Sequence, residues 1–595
     1  MSIFDIALEH PLDIDLILRK RKAIKKEYLF SDNFVELNIA ILGGSTTSEI
    51  KNIFELFLLK SGIKPQFYES EYNKYYEDAL FGNEKLQDFK PDIIYVHTNY
   101  FNIDHFPSSK SSQTESAELL DEEVKKYRSI LESLSRFDCS IIQNNFEFPM
   151  VRTLGNLDSY DWRGKTHFVT CLNQELACIA REMHNVYIND INYLSSYMGL
   201  SKWFDNSLWY TAKYSMSMEA IPHLAFNVVK IVNAIFGKSK KCLVLDLDNT
   251  CWGGVIGDDG IDGIQIGTET AIAEAFSSFQ TYAKELSDRG VTLAVCSKNE
   301  YDNAKKGFSH PDSILKFESF SSFMANWNPK HLNIIEIASE MNIGIESLVF
   351  IDDNPVERDL VSSQIPAVAV PNVGSDVVNF ITHIDRAGYF EPVTLSADDV
   401  NRKNYYEDNK KRVKEQSTYQ SYEEFLTSLN MTAEIKIFSS VYLDRIAQLT
   451  NKTNQFNLTT KRYTVGEIEK ISTDSRYLNL YGKLTDKFGD NGLVAIIIGA
   501  LKGNQCHLEL WLMSCRVIKR DLEYAMLDEL VKHCLKNDIW EIVGYYYETG
   551  KNGMVSDLYE RLGFMLTCRK QKDSVWSLDL KNYKNRNHLI GVNNE

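Results

Sequence analysis

Two aspartates one residue apart, Asp246 and Asp248, end the apolar run of "LVLDLDNTCWGG" at 243–254. Carboxylates that close repel each other unless a cation compensates, and a hard divalent ion with oxygen ligands does so most simply. Further polar groups stand at the ends of later apolar runs: Ser297 closes "VTLAVCS", Lys330 opens a helical pattern, and Asp352 with Asp353 closes "SLVFIDD". Acids for a metal, with a hydroxyl and an ammonium for phosphate oxygens, are the equipment of phosphoryl chemistry.

These residues need a common rim. Near-continuous apolar strands at 242–248, 291–297, 347–353 and 367–371 alternate with helical patterns at 270–290 and 329–342, as in a parallel sheet covered on both faces. Loops at the carboxyl ends of such strands gather ligands. The chain reads as multidomain α/β. A first α/β unit spans 1–235, with strands at 37–47, 91–99, 139–149 and 185–194. The aspartate-bearing unit spans 236–390, a charged helical linker 391–430, and a third unit 431–580 with a helix from about 519 to 535. Residues 581–595 read as a ragged tail.

A chain of 595 residues is too long for one core. Its 44% apolar and 25% charged residues are those of a soluble globular protein, and its net charge of −17 disfavours an extended nucleic-acid surface. Ten scattered cysteines without CxxC spacing, no signal-peptide pattern and no span-length apolar run imply a cytoplasmic protein that does not enter membranes.

The strings "DLDNT", "CSKN", "NPK" and "FIDDN" follow the order and spacing of the four motifs of haloacid dehalogenase (HAD) phosphotransferases, which this unit resembles. The resemblance implies a Rossmann-like domain with Mg²⁺ held by Asp246, Asp248, Asp352 and Asp353. Asp246 would be the nucleophile and Asp248 the general acid and base. Ser297, Lys330, Thr250 and Asn299 would bind phosphate. The fuller strings "LDLDNTCWGGVIGDDG", "ANWNPKHLNI" and "FIDDNPVERD" resemble the FkbH-like branch, as do "RIAQLTNKTNQFNLTTKRYT" (445–464), "DKFGDNGLV" and "WLMSCRV" further on, so the likeness covers about 240 to 570. That branch implies dephosphorylation of 1,3-bisphosphoglycerate and transfer of its glyceryl group to an acyl carrier protein thiol, in polyketide, tetronate or surface-glycan pathways. A plain phosphatase and a carrier-binding scaffold are the alternatives.

Transfer to a thiol asks for a nucleophilic cysteine. Cys242, Cys506, Cys534 and Cys568 read as buried small hydrophobes, and Cys296 should point away from the phosphate pocket. The acids beside Cys251 disfavour its thiolate. Cys515, read as a helix start among Arg516, Lys519 and Arg520, is the better-activated thiol. The third unit resembles the GNAT acyltransferases through "WLMSCRVIKRDLEYAMLDELVKHC" and "NGMVSDLYERLGF", but "RVIKRD" stands where that family has glycines. This favours docking of a carrier arm over acetyl transfer. The first unit resembles the SGNH hydrolases: Ser45 in "LGGSTT" stands at the nucleophile position and Asn99 in "HTNY" at an oxyanion-hole position. The Asp-x-x-His of that family is missing, and no spacing makes His223 its substitute, so a degenerate hydrolase is expected.

Overall fold

The computed structural model describes residues 2–30, 34–396, 402–416 and 418–593. The chain forms two compact units, residues 2–235 with 464–466, and residues 236–463 with 467–595.

The first unit carries a five-stranded parallel sheet of β1 (Val35–Gly43), β2 (Ile63–Glu69), β3 (Ile93–His97), β4 (Ser140–Asn144) and β5 (Val186–Asn189) in the order β2-β1-β3-β4-β5. Its main helices are α1 (Ser48–Lys60), α2 (Gln113–Leu134), α3 (Lys165–Glu182) and α4 (Ala220–Ile235). Ser112 caps α2 through a reciprocal box with Glu115. The strands β3 and β4 are buried at every position, and β1 from Ile39 onward, as parallel strands covered on both faces must be. Edge strand β2 was not anticipated, because its half-exposed residues around Pro65 make no apolar run.

The second unit holds two sheets. In the first, β6 (Cys242–Leu245), β7 (Thr292–Ser297), β8 (Phe320–Ala325) and β9 (Leu348–Ile351) run parallel in the order β8-β7-β6-β9. Their connections include α5 (Ala271–Asp288) and α6 (Lys330–Glu340), and α7 (Pro355–Gln364) follows β9. Alternation divides the apolar residues between the faces. Leu243, Leu245, Val349 and Ile351 pack with Phe279 and Phe380, whereas Val244, Leu348 and Phe350 pack with Ile334 and Val361. The expected strand at 367–371 is only a single bridge, Ala369 to Val349. Pro366 and Pro371 bracket it and supply no ladder donors.

Helix α8 (Arg402–Gln416) then leads towards the second sheet, with the residues at 397–401 lying outside those described. This helix ties both sheets: Arg402 donates to Gly290 O at 2.9 Å, and Arg412 makes a bidentate pair with buried Asp486 at 2.8 and 2.9 Å. The second sheet has eight strands, β10 (Thr432–Ile437), β11 (Tyr477–Asp486), β12 (Gly489–Lys502), β13 (Gln505–Met513), β14 (Glu541–Tyr546), β15 (Met565–Lys570), β16 (Asp573–Asp579) and β17 (Gly591–Val592), ordered β15-β16-β14-β13-β12-β11-β10-β17. With it go α9 (Leu443–Lys452) and α10 (Leu522–Lys536).

Two expectations fail here. The tail is ordered through residue 593: Asp528 accepts from Arg586 N–H and Asn587 N–H at 3.0 and 2.9 Å, Ile590 is buried, and β17 pairs with β10. Cys568 is exposed, because β15 is an edge strand whose residues all face solvent.

Candidate functional site

The end of β6 and the end of β9 lie side by side, with Asp246 N–H donating to Ile351 O at 2.9 Å. That pairing carries Asp246 and Asp352 to one rim. One carboxylate oxygen from each of Asp246, Asp352 and Asp353 falls within 4.8 Å of the others. Lys330, the first residue of α6, reaches the same point: its Nζ is 2.9 Å from Asp246 Oδ1 and 2.6 Å from Asp352 Oδ2. Burial alone would lower the lysine's pKa, but the charges of Asp246 and Asp352 outweigh it and hold Lys330 above the ordinary lysine range. Burial, then the charge of Asp246, pushes Asp352 up to about 6 and raises Asp353 as well. Three acids facing one ammonium leave negative charge in excess. A hard divalent cation fits such an oxygen set.

Asp248 stands apart from this trio. Its Oδ1 accepts from Trp252 Nε1 at 2.9 Å and from Ile256 N–H at 3.1 Å, and its Oδ2 accepts from Asn299 Nδ2 at 2.9 Å. The structure therefore does not bring the Asp248 carboxylate to the other three expected metal ligands; its donors hold it in a fixed orientation beside them. Asn299 also donates to Ser297 Oγ at 3.3 Å, which joins the ends of β6 and β7. Thr250 is fully buried and its hydroxyl accepts from Asp353 N–H at 3.2 Å, bracing the loop that carries that acid. Trp252 is seated by Gly307, where a Cβ would meet its ring at 2.6 Å.

Sequence reasoning assigned nothing to Arg358. Its Nη1 donates to the carbonyls of Asp352, Asp353 and Gly374 at 2.7, 2.8 and 3.0 Å, clamping the acid-bearing loop from behind. The arginine sits on α7, whose start is marked by the Asn354 cap and Pro355. Only that helical spacing pointed back to the loop.

The cysteines sort clearly. Cys251 is fully buried, donates to Asp246 O at 3.2 Å, and is pushed well above the ordinary thiol range by burial and by Asp246 and Asp248. It packs; it does not attack. Cys515 is half-buried, but it opens a three-residue 3₁₀ turn, Cys515–Val517, and α10 begins only at Leu522. The helix-start argument for that thiol is thereby corrected. Two of its expected cations are engaged elsewhere: Arg516 lies over the Tyr405 ring at 3.8 Å, and Arg520 is paired with Asp486 at 2.9 Å. Asn342, just beyond the end of α6, donates to Cys515 O at 3.0 Å. Lys330 begins that same helix, so Cys515 lies about 16 Å from the aspartates along α6.

In the first unit, Gly43 pairs with His97 across β1 and β3, which puts Ser45 and Asn99 on one rim two residues further on. Ser45 is buried, and its hydroxyl donates to Ser215 Oγ at 3.3 Å. His223 lies on α4. Asn99 is buried and its Oδ1 accepts from Phe101 N–H at 3.0 Å.

The fold and rim of the second unit define an α/β carboxylate–lysine centre of the haloacid dehalogenase class. Residues 38–233 match the family model described as FkbH, N-terminal domain. The N-terminal part of BF1531 from Bacteroides fragilis, whose crystal structure contains a phosphatase domain complexed with Mg, is 31% identical, with TM-score 0.59 over 63% of this chain and 99% of that one. The chain belongs to the FkbH family. The match at 38–233 falls in the first unit, outside the 240–570 span on which the FkbH likeness in the sequence rests. The ribosomal-protein-S18-alanine N-acetyltransferase of Escherichia coli is 15% identical over 26% of this chain and 99% of its own, with TM-score 0.21. No curated protein matches the chain. Among the described residues, no helix is long and apolar enough to cross a membrane.

Proposed function

We propose that this protein is a magnesium-dependent, HAD-type phosphatase acting on a phosphorylated small molecule. The observation that carries the reading is the trio Asp246, Asp352 and Asp353 closed around Lys330 at adjacent strand ends. Asp246, Asp352 and Asp353 would hold magnesium, which would supply positive charge against the phosphoryl oxygens. Asp246 attacks phosphorus, and the bond to the leaving oxygen breaks as Asp248 protonates it. Asp248 then takes a proton from water, whose oxygen displaces Asp246 from phosphorus. Lys330 and Ser297 hold the phosphoryl oxygens.

The finer reading is that the phosphorylated donor is an acyl phosphate of the 1,3-bisphosphoglycerate type, and that its glyceryl group passes through Cys515 to a carrier-protein thiol. Loading at Cys515 and dephosphorylation at Asp246 would then fall at opposite ends of α6. The same separation favours the second reading, a plain phosphatase. Mass spectrometry of a phosphopantetheinylated carrier incubated with the enzyme, Mg²⁺ and 1,3-bisphosphoglycerate decides between them. A glyceryl adduct lost in Cys515→Ala, with release of phosphate from p-nitrophenyl phosphate intact, supports transfer. Phosphate release without any adduct supports the plain phosphatase. The first unit, whose sequence lacks the Asp-x-x-His of the hydrolases it resembles, is read as binding rather than hydrolytic.

Arg358 offers a graded test of the metal loop. Arg358→Met leaves three loop carbonyls without their shared donor, so magnesium should bind roughly 10- to 100-fold more weakly. A magnesium titration of phosphate release reads this as a shifted midpoint with the plateau largely kept. An unchanged midpoint would show that the clamp does not position the ligands.

A further inference from the structure

Strands that part inside a sheet leave facing rows of unmet amides and carbonyls. β13 and β14 pair in parallel only between Gln505–His507 and Glu541–Val543, although β13 continues to Met513 and β14 to Tyr546. The gap beyond is filled by a segment of the chain that follows α9. Leu458 N–H donates to Trp511 O at 3.1 Å, Met513 N–H to Phe456 O at 3.0 Å, and Tyr547 N–H to Leu458 O at 2.9 Å. Asn457 forms an antiparallel bridge with Leu512, and Thr459 Oγ1 donates to Glu509 O at 2.7 Å. From the far side, fully buried Asn552 donates to Asn457 O at 2.9 Å. Phe456 and Leu458, 3% and 0% exposed, join the core under the sheet. The residues singled out in "NKTNQFNLTTKRYT" therefore act as an inserted strand that touches both lips of the gap.

We propose that Phe456–Thr459 determines the specificity of the C-terminal module by closing the β13–β14 gap to extended, amide-bearing ligands. Coenzyme A and a carrier's pantetheine arm are of that class: a chain with spaced amides pairs with a strand edge as a peptide does. Here Glu509 O, Trp511 O, Met513 N–H and Tyr547 N–H are already bonded to the inserted segment, and its two apolar side chains occupy the space beneath. The module takes no acyl-CoA in this gap, and a thiol-bearing arm that reaches Cys515 comes by another route.

Calorimetric titration of the full chain with coenzyme A and acetyl-CoA, paired with amide hydrogen exchange, tests this. The expected result is no binding up to millimolar ligand, with the Leu458, Met513 and Tyr547 amides equally protected with and without it. Binding that leaves those three amides protected also supports the closed gap, since the ligand then sits elsewhere. Submillimolar binding that exposes them overturns it. In a Phe456→Gly, Leu458→Gly variant the segment loses both anchors, and coenzyme A affinity should rise at least tenfold while p-nitrophenyl phosphate turnover stays within twofold. A folded variant that gains no affinity also overturns the proposal. Should that variant not fold, exchange in the unaltered protein decides.

Discussion

Asp246→Asn is expected to abolish phosphate release, by roughly three orders of magnitude or more, as loss of an attacking group does. Asparagine keeps the shape of the side chain but cannot form the phosphoryl–enzyme bond, so the loss falls on turnover rather than packing. The electrostatics supply the control. Asp246 faces Asp352 and Asp353 across less than 4.8 Å with only Lys330 between them, and its charge is among the causes that lift Asp352 to about 6. Removing that charge relieves repulsion, so Asp352 should titrate at lower pH in the variant. Without magnesium, the variant should melt no lower than the parent. Magnesium should protect it less against thermal unfolding, because one of the three proposed ligands has lost its charge. Turnover of p-nitrophenyl phosphate, thermal melts with and without magnesium, and the carboxyl titration of Asp352 check the set. Wild-type turnover in the variant would remove Asp246 from the nucleophile's role.

The rim could be read in advance because its elements obey simple rules. Buried parallel strands are apolar throughout, so the polar residues that end them stand out, and Asp246, Ser297 and Asp352 were visible for that reason. What escaped is what depends on partners distant in sequence. Arg358 matters through three carbonyls, and carbonyls leave no mark in a sequence. β8 was missed because it is an edge strand carrying Ser321 and Ser322, both buried, in place of an apolar run. The Cys515 argument assumed a helix at the strand end. The chain instead spends seven residues, 515–521, among them a three-residue 3₁₀ turn and the left-handed Lys519 and Asp521, before α10 begins. The end of the chain looked loose by composition, yet Asp528 on α10 holds it, a contact some 60 residues long in sequence. Local pattern thus locates the polar side chains of the rim well and the chain's cross-braces poorly.

The strongest of those braces yields the largest stability prediction. Asp486, at the end of β11, is fully buried with both oxygens committed: Oδ1 to Arg412 Nη2 at 2.9 Å and Phe488 N–H at 2.9 Å, Oδ2 to Arg412 Nε at 2.8 Å and Arg520 Nη1 at 2.9 Å. Two guanidiniums share one carboxylate. Burial, then the charge of Arg412, pushes Arg520 down to about 10 even with Asp486 in place. Asp486→Ala would leave two buried positive charges facing each other without an anion, a change that costs about 3–5 kcal/mol. Because Arg412 belongs to α8, whose Arg402 end binds Gly290 just before β7, the variant should also loosen the strut between the two sheets. Chemical denaturation should therefore show an earlier midpoint, and hydrogen exchange should rise along Arg402–Gln416 before it rises in β6 or β7. Combining Asp486→Ala with Arg412→Met removes one of the stranded charges, and should recover part of the loss. If the single variant loses less than about 1 kcal/mol, the range of an exposed pair, then solvent reaches this network and α8 is held by its other contacts.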